Sequence, residues 1–338
     1  MGEAVWAQRK PVVLAPMAGG AGRPELVAAV VEAGGQAFLP AGYKTAAQLR
    51  NDIEATRALT GGPFGVNLFM PSHDDVDDAA VAAYRDLLAD EAADLDAELG
   101  TPKARDDDYD AKVEDLLADP PALVSFTFGC PSREVVRAFR RADVTTVVTV
   151  TTVDEARQAV ESGADALCVQ GTEAGAHRGS FTNTTECALP LRELLPAVRA
   201  VTGLPLFAAG GIGSAGDVAE VLDLGAVAAQ VGTLFLRCPE SGATPVAKAA
   251  LADPRFTETA VTRAFSGRPA RGLVNRFLSR YSDEAPAAYP DVHYITSPLR
   301  KAAAARGDAD AVNLWAGTAF RSATEAPAAD VLDRLTPR

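Results

Sequence analysis

Eight times along the chain a short apolar run is followed by a segment with helical spacing, and no other feature restricts the fold as strongly. The runs fall at residues 12–15, 36–39, 64–69, 122–126, 144–150, 165–170, 205–209 and 226–231. They are too short for buried helices and lack the apolar–polar alternation of a strand with one wet face, so they read as strands buried on both faces. Residues 24–33, 46–59, 133–141, 154–162, 190–201, 215–224 and 244–252 carry the helix pattern. Parallel strands need a crossover and a cover on each face, so the class is α/β. Eight such units favour a (β/α)8 TIM barrel over an open doubly wound sheet. A chain of 338 residues, 48% hydrophobic, can bury one core of that size.

Two stretches break the rhythm. After the third strand, residues 74–117 are helical and acidic, with a charged, turn-rich middle at 102–110. That is too long for one barrel helix and reads as an insertion or lid of two helices and a loop. The expected division is a barrel from residues 1–73 and 119–252, a helical insertion at 74–118, and a C-terminal cap at 253–338 that completes a substrate site.

The formal net charge of -13, with lysine and arginine scattered, argues against nucleic acid or an anionic membrane as partner. Cys130, Cys168, Cys187 and Cys238 have no metal-type spacing and read as free thiols of a reducing cytoplasm. No segment approaches the roughly 18 apolar residues of a membrane helix, and residues 1–10 lack the apolar core of a signal peptide. The acidic insertion either closes over substrate or pairs two copies in a homodimer.

Polar chemistry is concentrated at two strand ends. The sixth strand runs into Gln170-Gly171 and a loop with glycines at 175 and 179, which displays His177. A histidine there can exchange a proton near neutral pH. His73 reads as a surface residue, and His293 has no comparable context. Glu173 can orient His177, bind a ligand, or serve only as a turn or cap residue. Arg178 can attract an anion or face solvent, and Ser180 can donate to phosphate or substrate. After the seventh strand, Gly211, Gly213 and Gly216 satisfy Gly-x-Gly-x-x-Gly. A dinucleotide site would need a ribose-binding acid at the end of the next strand, but that strand ends Gln230-Val231-Gly232-Thr233. A TIM-barrel phosphate site built from Gly210, Gly211, Gly213, Gly232 and Thr233 fits better.

The run from Gly171 to Gly179, Gly-Thr-Glu-Ala-Gly-Ala-His-Arg-Gly, resembles the Gly-x-Glu-Ala-Gly-Gly-His-x-Gly signature of the nitronate monooxygenases. These were once called 2-nitropropane dioxygenases and are FMN-dependent TIM barrels. Ala176 replaces the second family glycine. Near the end, Leu314-Trp315-Ala316-Gly317-Thr318 resembles the family's Leu-Trp-Ala-Gly-Gln tail, with Thr318 in place of glutamine. The likeness spans residues 12–320.

The resemblance implies that Pro16, Met17 and Ala18 lie against a flavin ring, with Asn67 and Gln170 reaching the ring or its ribityl chain. It also implies that Gly171, Gly175, Ala176 and Gln230 join the glycine loops in holding FMN. His177 becomes a base or hydrogen-bond donor beside the flavin, and Glu173, Arg178, Ser180 and Trp315 become substrate contacts. Each also has a plain structural reading: Met17 as core filler, Asn67 as a strand-end cap, Gln170 as a barrel-mouth hydrogen bond, Trp315 as a packing anchor. A cap from residues 271–313, with Tyr281, Tyr289, His293 and Tyr294, is expected over the barrel mouth. The implied activity is oxidation of alkyl nitronates such as propionate 3-nitronate by oxygen, giving a carbonyl product and nitrite or nitrate. The alternatives are an FMN-dependent NAD(P)H reductase of quinones or enoyl thioesters, and a flavin- or phosphate-binding module without turnover.

Overall fold

A computed structural model describes residues 10–72, 74–184 and 188–338, so His73 and Cys187 lie outside it. In chain order its strands are β1 (Val12–Leu14), β2 (Gln36–Pro40), β3 (Gly65–Phe69), β4 (Leu123–Thr127), β5 (Thr145–Val150), β6 (Ala166–Gln170), β7 (Ala176–His177), β8 (Leu206–Ala209), β9 (Ala228–Val231), β10 (Thr259–Thr262) and β11 (Ala270–Leu273). Strands β1 to β6, β8 and β9 form a closed parallel barrel, and Leu14 opposite Val231 completes the ring. These are the eight expected strands, each within two residues of its expected ends. The period-two side-chain alternation of a strand explains their all-apolar sequences. Val12 and Leu14 face the helix layer, while Val13 joins Phe38, Leu123, Val147, Cys168 and Phe207 inside the barrel.

Hydroxyl caps set the starts of the barrel helices. Ser132, Thr152 and Ser214 each accept a backbone N–H in the first turn of Arg133–Arg141, Val153–Ser162 and Ala215–Asp223. Thr45 and Gln48 form a reciprocal capping box at Ala46–Leu59.

The insertion holds three helices, Asp78–Leu87, Ala89–Asp94 and Tyr109–Ala118, where two were expected. Tyr109 and Leu116 of the third pack into the barrel core. The first two build a separate core with the C-terminal segment, in which Tyr84 and Leu88 meet Phe265, Phe277, Val292 and Leu299. Buried Glu91 ties the two together through a bidentate pair with Arg276 at 2.6 and 2.7 Å. After this roof, helix Ala328–Leu335 returns to the barrel, where Val331, Leu332 and Leu335 join the main core.

A second sheet was not legible in the sequence. Strands β10, β11 and β7 form it, with Ala270 of β11 opposite His177. A two-residue strand has no alternation to detect, so the His177 segment read as loop.

Candidate active site

A cavity of about 310 Å³ opens at the C-terminal ends of the barrel strands, the end at which TIM-barrel chemistry occurs. Pro16, Met17 and Ala18 after β1 form part of its wall, with Asn67 from β3, Gln170 from β6, and the glycine turns after β8 and β9. The C-terminal segment supplies His293, Arg300, Asn313 and Trp315. Asn67 donates to Ser125 Oγ at 2.9 Å and Thr127 Oγ1 at 3.0 Å. Thr127 in turn lies 3.3 Å from Thr149 Oγ1, so a polar row crosses three strand ends.

The His177 loop is held at several points. Gln170 donates to His177 O at 3.2 Å and accepts from Gly179 N at 2.7 Å. Arg271 donates to Thr172 O at 2.9 Å, and Thr318 N donates to Glu173 O at 3.0 Å. Gly175 must be glycine, because a Cβ there would stand 2.4 Å from Gly317 N. Thr318 therefore serves the loop through its backbone, and its exposed side chain does not line the cavity.

The departure at Ala176 has a backbone consequence. Its φ is +61°, in the left-handed region where a Cβ is strained. Among the described residues, four of the seven non-glycine residues with positive φ are aspartates; the other three, Tyr43, Phe128 and Ala176, all line the cavity. Backbone strain is concentrated at the site. Ala176→Gly is expected to stabilise the protein by about 0.5–1 kcal/mol. Relief of roughly 1–2 kcal/mol of strain exceeds the added entropy of the unfolded chain. A thermal melt checks this, and a lower midpoint would contradict it.

His177 is ringed by Phe128, Tyr289 and Trp315, with ring centroids 5.8, 5.6 and 5.6 Å away. Burial, with the positive charges of Arg268 and Arg300 nearby, pushes its pKa down to about 3. The ring is therefore neutral at physiological pH. Its Nε2 lies 2.8 Å from Ser266 Oγ, and that hydroxyl is also 3.2 Å from Arg268 O. The serine proton decides the tautomer. Directed to Arg268 O, it leaves Nε2–H and a bare Nδ1 acceptor; directed to Nε2, it leaves Nδ1–H as a donor.

Behind this ring, buried Arg268 lies over Phe128 at 4.2 Å and donates to Ser180 O. Above it, Tyr43 stacks on His293 with centroids 3.9 Å apart. Tyr43 N donates to Asp107 Oδ1 at 2.8 Å, and Asp107 pairs with buried Lys112 at 2.8 Å, so the insertion fixes this wall. His293 was expected only as part of a cap over the mouth, and Tyr43, Phe128, Arg300 and Asn313 were not singled out from sequence as site residues. They come from four separate segments that only the closed barrel and its cap bring together.

The glycine turns fit a phosphate. Backbone N–H groups of Gly211, Ile212, Gly232 and Thr233 have no acceptor among the described residues. Gly210 and Gly211, at φ +112° and +69°, open the turn in a conformation that strains other residues.

Four expected site residues do not line the cavity. Gly171 N continues the barrel ladder to Ala209 O, and a Cβ there would meet Leu191 N at 2.4 Å, so this glycine serves close packing. Gly213 N donates to Asp217 Oδ2 at 3.0 Å in the helix cap. Arg178 docks by backbone on Pro269 O at 2.8 Å. Ser180 is buried and donates to Thr182 O at 2.8 Å. Glu173 lines the cavity, but its carboxylate accepts from Leu191 N at 3.0 and 3.2 Å and caps helix Leu191–Arg199. Gly175, Ala176, Gly210, Gly211, Gln230, Gly232, Thr233 and Trp315 all reach the cavity. Thr233 Oγ1 accepts from Gly317 N at 3.0 Å, which joins the phosphate turn to the tail motif.

Comparison with known proteins agrees with this geometry. Residues 3–338 match the nitronate monooxygenase family. A probable nitronate monooxygenase of Staphylococcus aureus strain Newman is 35% identical over 332 residues, covering 96% of this chain and 93% of that protein. The crystal structure of a nitroalkane oxidase from Streptomyces ansochromogenes superposes with a TM-score of 0.96 at 52% identity, covering 98% of this chain and 96% of the other. FabK from Thermotoga maritima superposes with a TM-score of 0.76 at 25% identity, covering 98% and 93%. Barrel, signature loop and tail motif thus agree along nearly the whole length, and the chain belongs to the nitronate monooxygenase family.

Proposed function

We propose that this chain binds FMN in the cavity and oxidises anionic alkyl nitronates, propionate 3-nitronate among them, with molecular oxygen, yielding a carbonyl product and nitrite or nitrate. The observation that carries the reading is one cavity with a neutral histidine and a cationic roof beside four unclaimed backbone donors. The N–H groups of Gly211, Ile212, Gly232 and Thr233 would hold the phosphate, Met17 and its neighbours would form an apolar wall, and Asn67, Gln170 and Gln230 would supply amide contacts. FMN bound there would supply an electron acceptor and a means of reacting with oxygen.

The protein's own part is to bind and orient an anion while excluding water. With Ser266 directing its proton to Nε2, His177 offers Nδ1–H to a nitronate oxygen. In the other tautomer the bare Nδ1 can only accept a hydrogen bond, and a ring held neutral to about pH 3 suits an already anionic nitronate rather than proton abstraction from a neutral nitroalkane. Phe128, Tyr289 and Trp315 flank the ring with apolar surface, and the lower local dielectric strengthens either interaction. The free thiols of Cys130, Cys168 and Cys238 support placing the enzyme in the reducing cytoplasm.

Oxygen uptake coupled to nitrite or nitrate release should follow addition of propionate 3-nitronate to the purified yellow protein, with no rapid bleaching of the flavin by NADH or NADPH under anaerobic conditions. Rapid bleaching by nicotinamide without any response to nitronate would transfer the assignment to a reductase. A colourless protein that responds to neither would favour a phosphate-binding module.

A further inference from the structure

Arg300 stands out among the charged groups of the molecule. It lines the cavity, yet its hydrogen bonds go only to neutral acceptors: Nε to Thr296 Oγ1 at 3.1 Å, Nη1 to Asn313 Oδ1 at 3.3 Å, and Nη2 to His293 O at 2.9 Å. No carboxylate lies within ion-pair distance of it among the described residues. Among the described residues Glu173 is the one acid lining the cavity, and its oxygens are engaged at Leu191 N. A guanidinium has five N–H donors; the hydrogen bonds above and a second one from Nη2, to His293 Nδ1 at 3.3 Å, use four and leave one N–H of Nη1 for a ligand. Burial accordingly pushes its pKa down to about 10, which still leaves it charged at neutral pH.

Other charged residues withdrawn from solvent have visible tasks. Arg268 braces the Ser180 loop, Lys112 pairs with Asp107, and Glu91 pairs with Arg276. Arg300 is half-buried against the cavity, and a cation largely withdrawn from water without a charged partner is costly. The phosphate turn lies on the barrel, whereas Arg300 comes from the roof helix Asp291–Arg306. His177 gives the nitronate a neutral partner. Asn313, which Arg300 holds, is two residues from Trp315, whose ring flanks His177, so both poles open on one cavity.

We infer that Arg300 is the specificity residue for a second anionic group on the substrate, a carboxylate on the chain that bears the nitronate. His293 supports it: a guanidinium can only donate, so the 3.3 Å approach of Nη2 to His293 Nδ1 makes that nitrogen an acceptor and holds the fork in the cavity wall. This inference rests on the nitronate reading for its substrate, while anion recognition by Arg300 can be measured separately.

The test compares propionate 3-nitronate with propyl-1-nitronate, in which a methyl replaces the carboxylate. Wild-type kcat/KM should favour the carboxylated substrate. Arg300→Met should reduce that ratio on the order of 10- to 100-fold, as expected for losing a charge-assisted pair, and Arg300→Lys should restore part of it. A second arm is anaerobic calorimetric titration of the loaded protein with 3-nitropropionate and with 1-nitropropane, whose Kd ratio should move in parallel. Equal wild-type preference for the charged and uncharged members of each pair would overturn the inference without any variant. So would a ratio unchanged in Arg300→Met. If neither nitronate were oxidised but 3-nitropropionate still bound selectively through Arg300, the oxidation reading would fall and the anion site would stand.

Discussion

Replacing His177 with alanine is expected to lower nitronate turnover roughly 100- to 1000-fold, the usual effect of removing one donor aimed at reacting charge in a dry site. The flavin content of the purified protein should stay the same, because the expected phosphate and ring contacts come from other elements. The size of the effect follows from the setting. His177 stands among three aromatic rings, and its one side-chain hydrogen-bond partner among the described residues, Ser266, lies at 2.8 Å. No neighbouring side chain could take its place without moving the β7–β11 pairing that positions it. Because the ring stays neutral down to about pH 3, its protonation should leave no inflection in the kcat/KM profile between pH 5 and 8. Steady-state oxygen uptake by wild type and variant, with flavin content read from the visible spectrum, decides the matter. Turnover within about threefold of wild type would remove His177 from the mechanism.

The second expected result is a loss of folding stability as pH falls below the ordinary histidine range. In the unfolded chain His177 takes up a proton near pH 6.5, but in the folded protein burial and two arginines hold it unprotonated to about pH 3. Between those values the unfolded state binds more protons, so stability is complete above pH 6.5 and declines as pH is lowered toward 3. At pH 5 the loss from this residue is roughly 2 kcal/mol relative to pH 8. His293 is shifted in the same direction by burial and by Arg300, which steepens the slope. Urea midpoints of wild type and His177→Ala across pH 5 to 8 give the measurement. The variant should lose part of the acid slope, and identical slopes would show that His177 is not held neutral by the fold.

The barrel was legible because its signal is local and repeated. Strands buried on both faces must be apolar throughout, amphipathic helices must cover them, and the alternation of the two leaves few topologies. The glycine turns after β8 and β9 were legible as turns for a similar reason, since their backbone conformation needs glycine at particular positions; that they hold a phosphate belongs to the proposed function. His177 was singled out through its motif, and it lines the cavity. Its chemical state was not legible: a free histidine titrates near neutrality, and only the packing of Phe128, Tyr289, Trp315, Arg268 and Arg300 around it moves the pKa to about 3. Gly171, Gly213, Arg178 and Ser180 share motifs with cavity residues yet point elsewhere, because neighbours in sequence alternate in direction and a tight turn sends half its groups into the scaffold.

Sequence by itself determined the eightfold βα order, the strand ends at which chemistry can occur, and the family to which the signature loop belongs. A cap over the mouth was expected from the sequence, but which of its side chains meet the barrel's was decided by tertiary structure alone. Tyr43, Phe128, His293 and Arg300 are separated by as many as 257 positions along the chain and have no motif in common. Their meeting depends on the insertion and the C-terminal segment sharing one apolar core above the barrel. Local pattern records which residues a strand or helix must bury, whereas the charge and shape of a cavity arise from elements remote in sequence that are brought together when that burial is complete.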